Sequence, residues 1–109
     1  MDTQHKNLAA GHWRELSLAE QLGNIGSEIH RAMMRQKTGG QDYSNAIDRA
    51  LELLNLTIQD PRWKMRLKEI TRAKELLGDA IYGGKEYGST LENLDKYFFI
   101  FALAARIKK

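Results

Sequence analysis

The chain has 109 residues, of which 42% are hydrophobic, and this suits one globular domain with one modest core. It contains no cysteine, which excludes disulfides, thiolate metal ligands and a cysteine nucleophile. The net charge is +3 and unevenly spread, since residues 62–109 carry 11 basic and 6 acidic side chains and residues 1–61 carry 6 and 8. The basic surplus therefore lies in the second half of the chain.

The N-terminal residues lack the apolar core of a secretory signal. The longest strongly apolar run, residues 97–105, has nine residues, whereas a bilayer span needs about twenty. We therefore expect a cytoplasmic protein without a membrane partner. Residues 1–16 are expected to form a flexible arm, with Trp13 and Leu16 packing back onto a domain formed by residues 17–109.

The first predicted helix begins at Ser17, which has the spacing of a capping box with Glu20. Apolar side chains then recur at intervals of three and four and form one stripe. The helix is expected to end at Gly39 and Gly40, because glycine readily adopts the left-handed conformation that ends helices. The stripe consists of Leu18, Leu22, Ile25, Ile29, Ala32 and Met33.

Two further helices follow in the middle of the chain. Either Asp42 or Ser44 is expected to cap the second helix. Asp60 followed by Pro61 predicts the start of a third helix, with aspartate as the N-cap and proline as the first helical residue. This third helix is expected to run without interruption to about Tyr82.

A fourth helix is predicted from Ser89, which with Glu92 repeats the capping-box spacing, to about Ile107. The chain contains no valine, and its apolar residues nowhere alternate with the period of two that a half-buried strand requires. These patterns predict an all-α fold, arranged as an up-down-up-down four-helix bundle.

The second half of the fourth helix has almost no polar face, and a helix that is apolar on all sides must be covered on all sides. Because a bundle of this size buries one face of each helix, we expect a second copy of the chain to cover the other face. The alternative is that the N-terminal arm, with Trp13, covers it. The predicted self-association residues are Tyr97, Phe98, Phe99, Ile100, Phe101 and Leu103.

The segment LGNIGSEI, residues 22–29, has the glycine spacing of the nucleic-acid-binding turn in KH domains. A KH domain also needs strands around that turn, and here the apolar stripe of the first helix runs through both glycines. Glycine inside a helix costs about 1 kcal/mol relative to alanine. We therefore interpret Gly23 and Gly26 as sites where a helix of the same chain, a second subunit or a ligand comes close.

Motifs for catalysis or metal binding are weak or missing. The tripeptide Gly39-Gly40-Gln41 resembles the ester-hydrolysing tip of peptide release factors, but here it lies between two predicted helices. No histidine has the Glu-x-x-His spacing of helical metal sites, and no phosphate-binding loop or nucleophile elbow is present. We predict no enzymatic activity, no metal site and no cofactor.

Polar side chains flank the apolar stripes of the first two predicted helices. Glu28 could pair with Arg49, and Arg31 with Glu52, which would fix the register of the two helices. The alternative interpretation is a polar groove that holds a ligand or a protein partner. The set consists of Asn24, Glu28, Arg31, Arg49 and Glu52.

The basic surplus is concentrated in residues 62–74, with six basic side chains and one acidic side chain. This pattern is typical of a solvated helix face, and it is also typical of a surface that contacts phosphates in a salt-sensitive way. The second interpretation predicts a nucleic-acid-binding accessory protein. Its candidate contacts are Arg62, Lys64, Arg66, Lys68 and Arg72.

Four stretches of the sequence carry a resemblance: WRELSLAEQLGNIGSEIHRA, RALELLNLTIQDPR, EYGST and KYFFIFALAAR. Over about residues 13–106 the chain resembles a set of small uncharacterised prokaryotic proteins, and this resemblance implies no activity. In size, basicity and helical plan the chain is also similar to the accessory proteins of diversity-generating retroelements, which are oligomeric and bind nucleic acid and a reverse transcriptase. This second resemblance is one of architecture, and it implies such partners by analogy alone.

Overall fold

The computed structural model describes residues 11–107, and within that range the chain is helical and contains no strand. This confirms the all-α prediction. A short 3-10 segment, Pro61–Arg66, precedes the third α-helix. The long α-helices of this range are α1 (Leu18–Arg35), α2 (Gly40–Ile58), α3 (Leu67–Ile81) and α4 (Leu91–Ile107).

The start of α1 is a complete capping box, as the sequence predicts. The Ser17 hydroxyl accepts a hydrogen bond from the Glu20 backbone N–H at 3.1 Å, and the Glu20 carboxylate accepts one from the Ser17 N–H at 2.9 Å. From there α1 continues without a break through Gly23 and Gly26. The LGNIGSEI segment is therefore helix, and not the turn of a KH domain.

The start of α2 differs from the prediction, because the helix begins at Gly40 and no side chain caps it. Gly39 and Gly40 both have positive φ angles, 63° and 76°, so the chain reverses direction at these two residues. The helix consequently starts ahead of Asp42 and Ser44. Asp42 lies in the first turn, where its negative charge interacts favourably with the positive end of the helix dipole.

The prediction of a single third helix is wrong. Asp60 is an N-cap, since its Oδ1 accepts a hydrogen bond from the Arg62 N–H at 3.0 Å. The six residues that follow form a 3-10 segment, and Trp63 leaves the helical conformation with φ −102° and ψ 20°. Side-chain bonds from Arg62 to Asp60 and from Trp63 to Gln21 hold this turn in place. The regular helix α3 starts only at Leu67.

The start of α4 is capped by Thr90 and not by Ser89. The Thr90 hydroxyl accepts a hydrogen bond from the Asn93 N–H at 3.0 Å. The Ser89 N–H donates instead to the Asp79 carboxylate at 3.0 Å. Ser89 therefore belongs to the loop that joins α3 to α4.

That loop is organised around the Asp79 carboxylate, which accepts backbone N–H groups of Glu86 at 2.9 Å, Tyr87 at 3.1 Å and Ser89 at 3.0 Å. Burial raises the pKa of Asp79, but these donors together hold it below its ordinary value. Gly84 has a φ of 71°, and a Cβ atom there would lie 2.7 Å from the Ser89 carbonyl oxygen. Only glycine fits this position of the loop.

Helix α1 is the centre of the fold, because it makes the most extensive contacts with α4 and with α2, whereas α3 contacts its neighbours less. Helices α1 and α4 run antiparallel, since Gly23 faces Ala102 and His30 faces Asp95. Fully buried apolar side chains from all four helices meet in one core. The largest of them are Phe98, Ile25, Ile29, Leu54, Ile70, Leu77 and Leu91.

Trp13 packs back onto the helices, as predicted, and is 5% exposed. Its indole Nε1 donates to the Thr57 hydroxyl at 2.9 Å, and its carbonyl oxygen accepts a hydrogen bond from Gln21 Nε2 at 2.7 Å. The Gln21 Oε1 accepts from Trp63 Nε1 at 2.9 Å. Leu16 is half-buried against the core, while residues 1–10 of the predicted arm lie outside the described residues.

An ion pair completes this buried polar network. Asp60 is buried, and Arg62 donates to its Oδ2 through Nη2 at 2.7 Å and through Nε at 3.1 Å. The same guanidinium donates to the Leu16 carbonyl at 2.8 Å. The hydrogen bonds from Arg62 lower the pKa of Asp60 against the opposing effect of burial.

Candidate functional site: the exposed face of the last helix

Helix α4 has one face in the core and one face in solvent. Leu91, Leu94 and Phe98 are buried and contact the other helices. On the opposite side apolar side chains follow one another at helical spacing and remain open to water. They are Phe99 (54% exposed), Ile100 (62%), Leu103 (41%) and Ile107 (82%). We call these four residues the α4 face.

The predicted self-association residues fall on different sides of α4. Phe98 does not belong to the exposed set, because it is fully buried beneath α1, and Phe101 is half-buried against the core. Tyr97 lies toward α3, where its hydroxyl donates to Glu69 Oε1 at 3.3 Å. Because nine consecutive residues are apolar, no polar residue marks which side of the helix faces solvent. The sequence alone therefore cannot separate these side chains from Phe99, Ile100 and Leu103.

Ile107 was missed by sequence reasoning, although it lies one helical turn beyond Leu103 on the same side. The four-residue spacing from Leu103 was the signal that could have identified it. Its exposure of 82% makes it the most exposed member of the α4 face.

Gly23 and Gly26 face α4 directly. A Cβ atom at Gly26 would lie 2.7 Å from the Phe98 Cβ, and one at Gly23 would lie 3.1 Å from the Ala102 Cα. The element that comes close to both glycines is therefore a helix of the same chain. Any alanine at Gly26 must displace Phe98, whose Cβ leaves no room for a methyl group.

A groove of about 450 Å³ opens between α1 and α4, beside Phe99. Gly26 and Ala102 lie in its floor and leave room there, because neither contributes a side chain beyond Cβ. At its rim His30 Nδ1 lies 3.1 Å from Asp95 Oδ1, which joins the two helices. The α4 face thus has a concave neighbour of mixed apolar and polar character.

The polar residues that flank α1 and α2 pair differently from expectation. Arg31 Nη1 lies 3.4 Å from Glu28 Oε1 on the same helix. Within residues 11–107 no ion pair joins Glu28 to Arg49 or Arg31 to Glu52. The side-chain amide of Asn24 donates to the Glu20 carbonyl at 2.9 Å. These contacts are local to α1 and do not fix its register against α2.

Asn24, Glu28 and Arg49 nevertheless line one small cavity of about 230 Å³. The Glu28 Oε1 is buried and accepts no hydrogen bond from the described residues, and Arg31 Nη1 lies 3.4 Å from it. Glu28 itself keeps 18% of its side chain exposed, and Arg49 is half-buried. The structure therefore brings these three predicted residues together around a cavity without a cross-helix ion pair.

The predicted phosphate-binding residues do not act as one set. Arg62 is occupied by Asp60 and Leu16, and Arg66 donates to both carboxylate oxygens of Glu69, at 3.0 and 3.2 Å. The bonds from Arg66 lower the pKa of Glu69. Both arginines are thus neutralised by a neighbouring acid, which sequence spacing alone did not reveal.

The three remaining cations lie on two different elements: Lys64 is in the 3-10 segment, whereas Lys68 and Arg72 are on α3. All three are exposed, and in the described part of the chain none has an ion-pair partner. The Arg72 guanidinium lies 4.4 Å from the centre of the Tyr87 ring, at the edge of a cavity of about 410 Å³. Tyr87 belongs to the α3–α4 loop, so no helical periodicity could have predicted this contact.

Comparisons of the chain with protein-family models, with characterised proteins and with solved structures found no match. None of the helices in the described range is long and apolar enough to cross a membrane. Within residues 11–107 no group of three or more histidine, aspartate and glutamate side chains is placed to hold a metal ion.

Proposed function

We propose that this protein is a non-enzymatic, self-associating helical protein that serves as an interaction or scaffold module in the cytoplasm. The observation that supports the proposal is the α4 face, which keeps Phe99, Ile100, Leu103 and Ile107 in contact with water. Covering apolar surface gains about 25 cal/mol per Å², and contiguous exposed patches of this kind mark interaction sites.

A second copy of the chain is the partner in this proposal. The alternative that the N-terminal arm covers α4 with Trp13 loses its main anchor, because the Trp13 indole is buried against Thr57 of α2. The up-down-up-down order of four helices is part of the same proposal. It would leave α4 at the outside of each bundle, with its outer side free for the second copy.

The experiment is light scattering coupled to gel filtration over a series of concentrations. The unmodified chain is expected to show at least twice the monomer mass, with a mass that rises with concentration. Phe99→Glu places a charge in the middle of the α4 face and is expected to weaken association at least about tenfold. Circular dichroism of the variant should be unchanged, because Phe99 is outside the core.

Tyr82→Glu is the matched control. Tyr82 is also a large aromatic residue with 81% exposure, but it lies at the end of α3, away from the α4 face. It should leave the mass unchanged. A monomer at every concentration, or equal effects of the two substitutions, would contradict the proposal.

The second candidate function is a nucleic-acid-binding accessory protein. The observation that favours it is that Lys64, Lys68 and Arg72 are exposed and, among the described residues, without a carboxylate partner. Changing Lys64 and Lys68 to Glu should abolish retention on nucleic acid at low salt. Arg66→Glu is the control with a smaller expected loss, because Glu69 already neutralises that guanidinium. If neither the Lys64 and Lys68 variant nor Arg66→Glu reduces retention on nucleic acid, this function is contradicted.

A further inference from the structure

Two opposite charges stand at the ends of the α4 face. Glu92 and Arg106 are each seven residues from Phe99, one on either side. At 1.5 Å per residue they lie about 10 Å from Phe99 along the axis, and seven residues are close to two helical turns. Both side chains therefore project on the same side of α4 as Phe99.

Neither charge has an ion-pair partner among residues 11–107. Glu92 and Arg106 are both exposed. The α4 face is thus bordered by a negative charge at the start of the helix and a positive charge near its end.

We infer that two copies pack through the α4 face in antiparallel orientation, about a two-fold axis near Phe99, so that Glu92 of each copy pairs with Arg106 of the other. This inference rests on the proposed function, because it assumes that the second copy covers α4. A two-fold axis makes the contact self-complementary, as in most homodimers.

The charges decide between the two possible orientations. In a parallel pair each charged residue would face its own copy, so Glu92 would repel Glu92 and Arg106 would repel Arg106. In the antiparallel pair the same residues attract each other at both ends of the contact. The antiparallel pair also sets the two helix dipoles in opposite directions, which is the favourable arrangement.

Lys96 fits the antiparallel register as well. It is exposed on the α4 face between Glu92 and Phe99. An axis near Phe99 brings Lys96 level with Ala102 of the other copy, next to Leu103, where its aliphatic stem can cover the leucine while the ammonium group stays in water. In a parallel pair Lys96 would instead face another Lys96.

The groove between α1 and α4 gives the contact its shape. It lies beside Phe99, with the room that the small residues Gly26 and Ala102 leave at its floor. In a two-fold pair the Phe99 ring of each copy can enter the groove of the other. The protruding side chain and the recess that receives it are neighbours on one surface, which is what a self-complementary interface requires.

Disulfide cross-linking tests the orientation directly, because the chain has no cysteine of its own. Glu92→Cys and Arg106→Cys are prepared as separate variants, mixed in equal amounts and oxidised, and the linked peptides are identified by mass spectrometry. The inference predicts that the link between the two different variants exceeds each link between identical chains several-fold. A majority of links between identical chains would overturn it, and so would a dimer that forms neither kind.

A charge exchange provides a second readout that does not depend on thiols. Glu92→Lys and Arg106→Glu should each raise the dimer dissociation constant about two- to fivefold, as expected for an exposed ion pair. The double variant should return it close to the original value, since the pair is restored with exchanged signs. Additive losses in the double variant would contradict the antiparallel contact.

The outcomes separate this inference from the proposed function. Suppose that Phe99→Glu lowers the mass of the dimer, but that the cysteine variants cross-link mainly between identical chains. The proposed function then stands, and only the antiparallel orientation is overturned. A monomeric unmodified chain overturns both. If a Phe99→Cys thiol in such a monomer reacts only after residues 1–10 are deleted, the occupant of the α4 face is the N-terminal segment.

Discussion

Two regions of the molecule differ in whether their groups find partners within the chain. Around Asp60 the buried polar groups are paired within the chain: Gln21 and Thr57 both contact Trp13, and Asp60 is held by Arg62. On the α4 face the apolar groups remain uncovered. Because unpaired buried polar groups are costly, the first region is complete in one chain. The second gains free energy only when another surface covers it.

The largest expected effect is on stability and comes from the region around Asp60. Asp60→Ala removes the N-cap of the 3-10 segment and leaves Arg62 without its carboxylate. We expect the free energy of unfolding to fall by about 3 kcal/mol, from the lost cap together with the broken pair. Urea denaturation followed by circular dichroism measures it.

Glu69→Ala is the matched control for that prediction. The Arg66–Glu69 pair has the same chemistry at 3.0 Å, but both side chains are nearly half exposed. An exposed pair contributes about 0.5 kcal/mol, and solvent screening weakens it further. Equal losses from Asp60→Ala and Glu69→Ala would show that burial of Asp60 contributes nothing to the network.

The second prediction concerns the glycines beneath α4. Gly26→Ala should lower the free energy of unfolding by about 1–2 kcal/mol, because the collision with the Phe98 Cβ exceeds the gain in helix propensity. Gly78→Ala, in α3, should raise it by about 0.5–1 kcal/mol, because a Cβ atom there would meet no atom within 4 Å beyond the adjoining helix backbone. Thermal denaturation of both variants measures the opposite signs, and two stabilising substitutions would contradict the close contact between α1 and α4.

The smallest expected effect is a dependence of stability on pH. The pKa of Asp60 in the folded chain is below 3.8, its ordinary value, so folding favours the charged carboxylate. The stabilisation is complete above that ordinary value and is lost as the pH falls through the folded pKa. Denaturation at a series of acidic pH values should show this loss, and Asp60→Asn should make the curve flatter. If the unmodified protein and Asp60→Asn lose stability equally as the pH falls, Asp60 is not the group responsible.

Much of the fold could be predicted from the sequence, because it depends on local patterns. The capping box of Ser17 and Glu20 and the apolar stripe of α1 both act within a few residues, and both are present. Two of the errors arose where a hydrogen bond to a distant residue fixes a turn or a loop. Trp63 is held by Gln21, and Ser89 by Asp79, and neither partner is a near neighbour in sequence.

The candidate site could be predicted only as a region. A low polar content marked the second half of α4, but the separation of Phe98 from Phe99 depends on which side α1 occupies. Likewise Arg62 is paired with Asp60 because the turn that begins at Asp60 brings the guanidinium back to the carboxylate. Helix periodicity predicts which residues share a face, and tertiary packing decides which of those faces is buried.

The peripheral position of α3 has a consequence for how the chain opens. Because α3 contacts α2 and α4 less extensively than α1 does, we expect it to open before the α1–α4 pair. Hydrogen exchange should therefore release the amides of α3 first and those of α1 last, close to global unfolding. A second copy bound to α4 would slow exchange in α4 and α1 and leave α3 as labile as before.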